Sequence, residues 1–167
     1  MNNRKANSPK NENQTSFSYR FFNVFQHSGD SIFLFPFFLI LYLLSTGQTK
    51  VTTGMVVAGM IFTAFVVFLL KQIFRKERPA GIAGKMYRKY DRFSFPSGHA
   101  ARVWAVVAII SFFYWRAAVV LSVWALLISF GRLKLKLHYK IDVFAGVVIG
   151  VLLGIFTVWV SSRLGFH

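Results

Sequence analysis

The alternation of apolar and polar segments divides the chain into a polar start, an aromatic-rich stretch and five apolar runs. The runs cover residues 31–44, 51–70, 100–115, 117–130 and 141–160. The second run has no charged residue over 20 positions, about the length of helix that crosses a bilayer. The shorter runs can cross if they tilt or continue into the loops. The pattern predicts an all-α, polytopic membrane bundle with five spans, and a soluble all-helical core is the alternative.

Two segments precede the first apolar run. Residues 1–15 are rich in Asn, Lys and Ser, a composition typical of a disordered tail. Residues 16–28 mix Phe and Tyr with Arg, Asn and Gln, which favours a helix lying at the headgroup level of a membrane. If that stretch also crosses, the number of spans is six. Residues 16–167 are then expected to form one membrane-embedded domain.

Several residues indicate helix ends and helix contacts. Asp30 is a plausible N-cap for the first run, and Arg116 indicates a turn between the third and fourth runs. Gly146, Gly150 and Gly154 recur at helical spacing in the last run. A stripe of small residues lets two membrane helices approach closely, so we expect this stripe to be a helix contact.

Composition narrows the class of protein further. Hydrophobic residues make up 55% of the chain, more apolar surface than a water-soluble protein of this size can easily cover. The chain has 20 Lys and Arg against five Asp and Glu. These basic residues lie between apolar runs, which argues against a nucleic-acid partner and favours an anionic membrane surface or substrate. The absence of Cys excludes disulfides and thiolate metal sites.

Three polar segments at the ends of apolar runs carry candidate chemistry. In the first, Lys71 and Arg78 are seven residues apart, or two helical turns, and Pro79 follows. Both cations are therefore expected to project from one face at the end of the second run, where they could bind an anion. Long basic side chains that reach towards the membrane surface at a helix end are the alternative.

The second segment is Pro96-Ser97-Gly98-His99, at the start of the third apolar run. The backbone N–H groups at a helix start favour a bound anion, and Ser97 can add a hydroxyl donor. His99 can transfer a proton near neutral pH. An N-cap beside a histidine without function is the alternative.

The third segment places Arg132, His138 and Asp142 at the start of the last run. His138 and Asp142 are four residues apart, so their side chains are neighbours on a helix face. A carboxylate bonded to one imidazole nitrogen would leave the other free to attack an electrophile. A purely structural His–Asp pair is the alternative. Counting crossings places all three segments on one side of the membrane, with Lys50 and Arg116 on the other.

In this order, the three segments resemble the signature of the type 2 phosphatidic acid phosphatase superfamily. The family usually has Ser where this chain has Gly131. The resemblance implies a membrane phosphatase in which His138 becomes phosphorylated, Asp142 orients it and His99 protonates the leaving oxygen. It further implies that the phosphate is held by Lys71, Arg78, Ser97, Gly98 and Arg132. We expect no metal or other cofactor, since one carboxylate among these residues is too few for a hard cation.

The substrate implied is a lipid phosphate in the bilayer, with no protein partner indicated. Further cations surround the motifs, and we expect a headgroup with several negative charges to bind Lys85, Arg88, Lys89 and Arg92. The chain resembles bacterial lipid A 1-phosphatases. Phosphatidylglycerophosphate or undecaprenyl diphosphate hydrolysis, lipid phosphotransfer and non-catalytic lipid binding are alternatives. The bacterial inner membrane is the expected location. Lys and Arg counts favour a cytoplasmic site, whereas the resemblance favours the periplasm, which we adopt.

Overall fold

The computed structural model describes residues 17–79 and 92–166. The predicted disordered tail, residues 1–15, lies outside the described residues. Six α-helices and one short 3-10 turn occur in the described part of the chain: α1 (Phe17–Phe25), the 3-10 turn (Gln26–Gly29), α2 (Ser31–Leu44), α3 (Gly47–Phe74), α4 (Gly98–Ser111), α5 (Trp115–Lys134) and α6 (Lys140–Arg163).

The helices confirm the predicted all-α membrane bundle. Within the described residues, α3, α5 and α6 are long and apolar enough to cross a membrane, and α1 with α2 forms a fourth candidate bent by 44°. The third predicted run corresponds to α4, which is apolar but has only 14 residues. Large apolar side chains on the outer faces of α3 and α6, such as Phe65, Phe68 and Leu152, are more than half exposed. Lipid is the medium that suits such a surface.

The short helix α4 lies in the middle of the bundle and packs against α3, α5 and α6. Nine of its 14 residues are buried. Val103, Val106 and Ile109 are completely inaccessible and join the main hydrophobic core. Because other helices surround α4, its first residues, Gly98 and His99 of the second polar segment, are held in a fixed position.

Glycines bring α6 into direct backbone contact with α4, as the sequence predicts. A Cβ atom added at Gly150 would lie 2.1 Å from the carbonyl oxygen of Ala101, and one added at Gly146 would lie 2.6 Å from that of Ser97. No other residue fits at such distances. The close approach sets the start of α4 beside the start of α6, where the amide nitrogen of Ser97 donates to the carbonyl oxygen of Asp142 at 2.9 Å.

The turn between α4 and α5 differs from the expected one. It covers Phe112–Tyr114, and Arg116 is already the second residue of α5. The amide of Tyr114 donates to the carbonyl of Ile110, which closes the last turn of α4. A long Arg side chain can reach the membrane surface from within a helix, so its position did not mark the turn.

Candidate active site

The candidate site is built where five helix ends meet on one side of the bundle. Helices α3 and α5 end there, and α2, α4 and α6 begin there. The three polar segments of the sequence therefore face the same side, and hydrogen bonds connect them, including that between Ser97 and Asp142. Lys50 and Arg116 lie near helix starts at the opposite end.

The first segment leaves its helix earlier than expected. Helix α3 ends at Phe74, and Arg75 adopts a left-handed conformation with φ of 45°. The prediction that Lys71 and Arg78 share one helix face is therefore wrong. Lys71 is buried in the last turn of α3, where its Nζ donates to the carbonyl of Phe93 at 2.8 Å. Arg78 follows in non-helical chain.

This non-helical chain pairs with the segment that leads into α4. Glu77 and Phe93 form an antiparallel bridge. The amide of Ser94 donates to the carbonyl of Lys76 at 2.8 Å, and its hydroxyl donates to the carbonyl of Glu77 at 2.9 Å. Ser94 is completely buried, so these bonds lock the first two polar segments together.

His138 is held by a backbone carbonyl from the paired segment. Its Nδ1 lies 2.8 Å from the carbonyl oxygen of Ser94, and because that oxygen can only accept, Nδ1 carries the proton. In the neutral ring Nε2 is then the unprotonated nitrogen. Nη1 of Arg78 lies 3.2 Å from Nε2 and also donates to the carbonyl of Leu137 at 3.1 Å. The ring therefore presents a lone pair beside a guanidinium group.

The surroundings of His138 favour the uncharged ring. Burial of the imidazole, followed by the positive charges of Arg132, Arg78 and Lys71, holds the pKa of His138 well below its ordinary value of 6.5. A neutral imidazole is the nucleophilic form, and the same three cations can stabilise the negative charge of a phosphoryl group.

Asp142 does not bond to His138 as the spacing suggested. Its Oδ2 is 3.9 Å from Nδ1 of His138, too far for a hydrogen bond, and accepts instead from the amide of Tyr139 at 3.0 Å. Its Oδ1 accepts from Nζ of Lys76 at 2.6 Å. Asp142 thus caps α6 and fixes the His138 turn, while the Ser94 carbonyl occupies the orienting position.

His99 has a carboxylate partner of its own. Its Nε2 is hydrogen-bonded to Oδ1 of Asp30, and the other oxygen of that carboxylate lies 2.7 Å from Nδ1 of His27. Asp30 does precede α2, but its side chain makes no capping hydrogen bond there. The carboxylate therefore does not cap α2 as predicted, and it bridges His99 and His27 instead.

Arg132 is a buried cation that acts on both site histidines. It is completely buried, and its Nη1 donates to Oε1 of Gln26 at 2.7 Å. Its charge acts on both His99 and His138. The hydroxyl of Ser97, at the N-cap of α4, is also buried, and it has no hydrogen-bond partner among the described residues. Gly98 begins α4, and a Cβ there would lie 3.8 Å from Nη1 of Arg102.

Gly131 packs against the N-terminal helix. A Cβ atom added at Gly131 would lie 3.2 Å from Cδ1 of Phe22, whose ring stacks edge-on with Phe130 at 5.4 Å. A serine side chain, which the family usually has at this position, would therefore lie against an aromatic ring from α1. This contact helps to dock α1 against α5 beside Arg132.

Sequence reasoning missed four contributors to the site: Gln26, Asp30, Lys76 and the carbonyl of Ser94. Gln26 and Asp30 had a weak signal, since they are polar residues at the edge of an apolar segment. Lys76 is one of several cations near the motifs, and its position in the sequence does not distinguish it from the others. A backbone carbonyl has no signature in the sequence.

The residues expected to contact the headgroup are mostly untested by the structure. Lys85, Arg88 and Lys89 lie outside the described residues. Arg92 is exposed next to the bridge residue Phe93. Among the described residues, no group of three or more His, Cys, Asp or Glu side chains could hold a metal ion.

Comparison with known proteins identifies the family. The model of the PAP2 superfamily matches residues 52–166, which include all three polar segments. The match covers more than half of the chain. The chain therefore belongs to the PAP2 superfamily.

Individual relatives agree with this assignment. The chain is 26% identical to the bacitracin transport permease protein BcrC of Bacillus licheniformis over 78% of its length and 68% of the relative's. It is 30% identical to the probable lipid phosphate phosphatase beta of Arabidopsis thaliana over 59% of its length and 60% of the relative's.

Two solved structures share the fold. LpxE of Aquifex aeolicus matches with a TM-score of 0.70 and 25% identity, over 92% of this chain and 88% of that one. A transmembrane PAP2-type phosphatidylglycerolphosphate phosphatase from Bacillus subtilis matches with a TM-score of 0.72 and 20% identity, over 87% and 77% of the two chains. Fold and family together define a multi-pass membrane lipid phosphatase.

The contact between Lys76 and Asp142 can be tested with neighbouring substitutions. Lys76→Met leaves a completely buried carboxylate without its cation, and we expect a loss of about 1.5–3 kcal/mol in the free energy of unfolding. Thermal unfolding in detergent measures it. Arg75→Met, in which an exposed side chain is replaced, is the matched control and should stay close to wild type. Equal stability of the two variants would contradict a role for Lys76 in holding Asp142.

Proposed function

We propose that this phosphatase removes phosphate from a lipid through a phosphorylated His138, and that its preferred substrate is lipid A 1-phosphate. The observation that carries the proposal is the orientation of His138: Nδ1 donates to Ser94, and Nε2 faces the guanidinium of Arg78. A nucleophilic nitrogen surrounded by fixed cations suits attack on a phosphorus atom that carries negative oxygens.

The first half-reaction forms a bond between Nε2 of His138 and phosphorus. The bond from phosphorus to the lipid oxygen breaks, its electron pair stays on that oxygen, and His99 supplies the proton that makes the departing group a neutral alcohol. Arg78, Lys71 and Arg132 stabilise the phosphoryl oxygens, and the buried Ser97 hydroxyl and Gly98 amide are further donors. Arg78 is well placed for this role, because Nη1 lies 3.2 Å from the attacking atom.

The second half-reaction returns the enzyme to its starting state. A water molecule gives its proton to His99 and its oxygen to phosphorus, the bond to Nε2 breaks, and inorganic phosphate leaves. His138 recovers the lone pair on Nε2, and its Nδ1–H keeps the hydrogen bond to Ser94 throughout. Neither half needs a metal ion, since three fixed positive charges act on the transferring group.

The position of the site supports a lipid substrate. The reacting side chains lie at the ends of membrane helices, level with the starts of α4 and α6, rather than on a separate soluble domain. A phosphate attached to a lipid is held at this level by its acyl chains, so the membrane itself raises its concentration at the site.

Charge around the site supports a headgroup with more than one phosphate. Three of the surrounding cations, Lys134, Lys136 and Lys140, are exposed at the end of α5 and the start of α6, and Arg92 is exposed before α4. Lys76, in contrast, is engaged with Asp142 and does not count among them. Lipid A carries several negative groups. The chain is also similar, over most of both chains, to LpxE, a lipid A 1-phosphatase, which supports this choice of substrate.

We place the protein in the bacterial inner membrane with its site towards the periplasm. Lys and Arg counts alone would put the site in the cytoplasm. Several of these cations, however, are hydrogen-bonded inside the site, as Lys71, Arg78 and Arg132 are. Because such residues serve the proposed function, they are poor indicators of how the protein is oriented in the membrane.

The proposed nucleophile is tested with a panel of lipid phosphates. Purified enzyme should release inorganic phosphate without an acceptor lipid or added metal, and His138→Ala should reduce turnover by at least about a thousandfold. Enzyme quenched with radiolabelled substrate should carry acid-labile, alkali-stable phosphate. His167→Ala, at the last residue of the chain, is the control. Parental turnover by His138→Ala would refute the mechanism, and phosphate release only with an acceptor would indicate a transferase.

The proposed headgroup contacts are tested with two sets of substitutions that remove cations. Changing Lys85, Arg88, Lys89 and Arg92 to Gln should raise the KM for lipid A by about tenfold or more, with a much smaller effect on phosphatidic acid. Changing Lys50, Arg116 and Arg163 to Gln at the opposite end controls for loss of charge. Equal effects on lipid A and phosphatidic acid would contradict a polyanionic headgroup.

A further inference from the structure

The N-terminal segment delivers a carboxylate to the site that the three sequence motifs do not contain. Asp30 lies between the 3-10 turn and α2, and its side chain is about three-quarters buried. Its two oxygens have different partners: Oδ1 is bonded to Nε2 of His99, and Oδ2 to Nδ1 of the half-exposed His27. The carboxylate is therefore fixed from both sides and cannot rotate away from His99 without losing both bonds.

The charges around His99 give this contact a chemical consequence. Burial of the His99 ring, followed by the guanidinium groups of Arg132, on α5, and Arg102, on the same helix, opposes a positive charge there. Asp30 is the carboxylate bonded to that ring, and it stabilises the charged, proton-donating form. His27 is exposed, and its bond to Asp30 holds the carboxylate in place.

We infer that Asp30 is a positioning residue for His99, holding its ring through Nε2 so that Nδ1 faces the leaving oxygen with a proton to give. This inference rests on the proposed function, and it assigns to the N-terminal segment a part in leaving-group protonation. During the reaction the proton on Nδ1 moves to the departing lipid oxygen. Asp30 keeps its negative charge throughout and takes no proton itself.

The two site histidines are oriented by different hydrogen-bond partners. His138 is oriented by a neutral carbonyl, which leaves its ring uncharged and nucleophilic. His99 is oriented by a carboxylate, which stabilises a positive charge on the ring against the burial and the two guanidinium groups that oppose it.

The test compares two substrates that differ in their need for a proton. A lipid phosphate releases an alkoxide and needs an acid. A nitrophenyl phosphate bearing an alkyl chain of similar length releases a stable phenolate and does not. Asp30→Asn keeps the size of the side chain but removes its charge. We expect it to lower kcat/KM for the lipid phosphate by about 10- to 100-fold and for the aryl phosphate by less than about threefold.

Several variants make the comparison decisive. His99→Asn should show the same selectivity with a larger effect, and Asp30→Glu should restore part of the activity on the lipid phosphate. Glu77→Gln, an acid-to-amide change at an exposed side chain to which we assign no role, should leave the ratio of the two activities unchanged. The ratio does not depend on the fraction of folded enzyme, so partial unfolding of Asp30→Asn does not obscure the result.

The possible failures are distinguishable. If wild type hydrolyses both substrates and Asp30→Asn lowers both equally, Asp30 is structural and this inference is overturned while the proposed function stands. If wild type hydrolyses neither substrate, or His138→Ala hydrolyses both at the parental rate, the proposed function itself fails.

Discussion

The site depends on one hydrogen bond, from Nδ1 of His138 to the carbonyl oxygen of Ser94. That bond selects the tautomer, fixes the plane of the ring and directs Nε2 towards Arg78. The carbonyl can do this because Ser94 is itself immobilised, with its amide and hydroxyl both bonded to the chain that follows α3. The proposed nucleophile is thus oriented by backbone from a segment 44 residues earlier, and hydrogen bonds link the three polar segments to one another.

The distribution of the few acidic groups explains how so many cations are tolerated in a small buried volume. Asp142 is completely buried and neutralises Lys76 while capping α6. Asp30 stands beside His99. Neither carboxylate hydrogen-bonds to His138: Asp30 is bonded to His99, and Oδ2 of Asp142 stays 3.9 Å from Nδ1, whereas Arg78 lies beside Nε2. Positive charge therefore concentrates where phosphoryl oxygens would bind, and negative charge is kept to the supporting contacts behind it.

The sequence predicted the parts of the structure that depend on local pattern. Apolar runs gave the helices, because burial and lipid exposure require long apolar segments, and the Gly146–Gly154 stripe gave the contact of α6 with α4. Counting the predicted crossings also placed the polar segments on one side. Their partners were harder to predict. Arg75 ends α3 in a conformation that a non-glycine residue seldom adopts, so Arg78 was wrongly placed on the helix. The Ser94 carbonyl and Asp30 reach the site only through tertiary packing, which spacing alone does not show.

The most direct test of this account is the protonation state of His138, measured by nitrogen NMR on protein labelled with 15N-histidine in detergent at neutral pH. The signals of His138 are assigned by their loss in His138→Gln. We expect a neutral ring with the proton on Nδ1 and an unprotonated Nε2. A charged imidazolium, or a neutral ring with its proton on Nε2, would contradict the orientation on which the proposed chemistry depends.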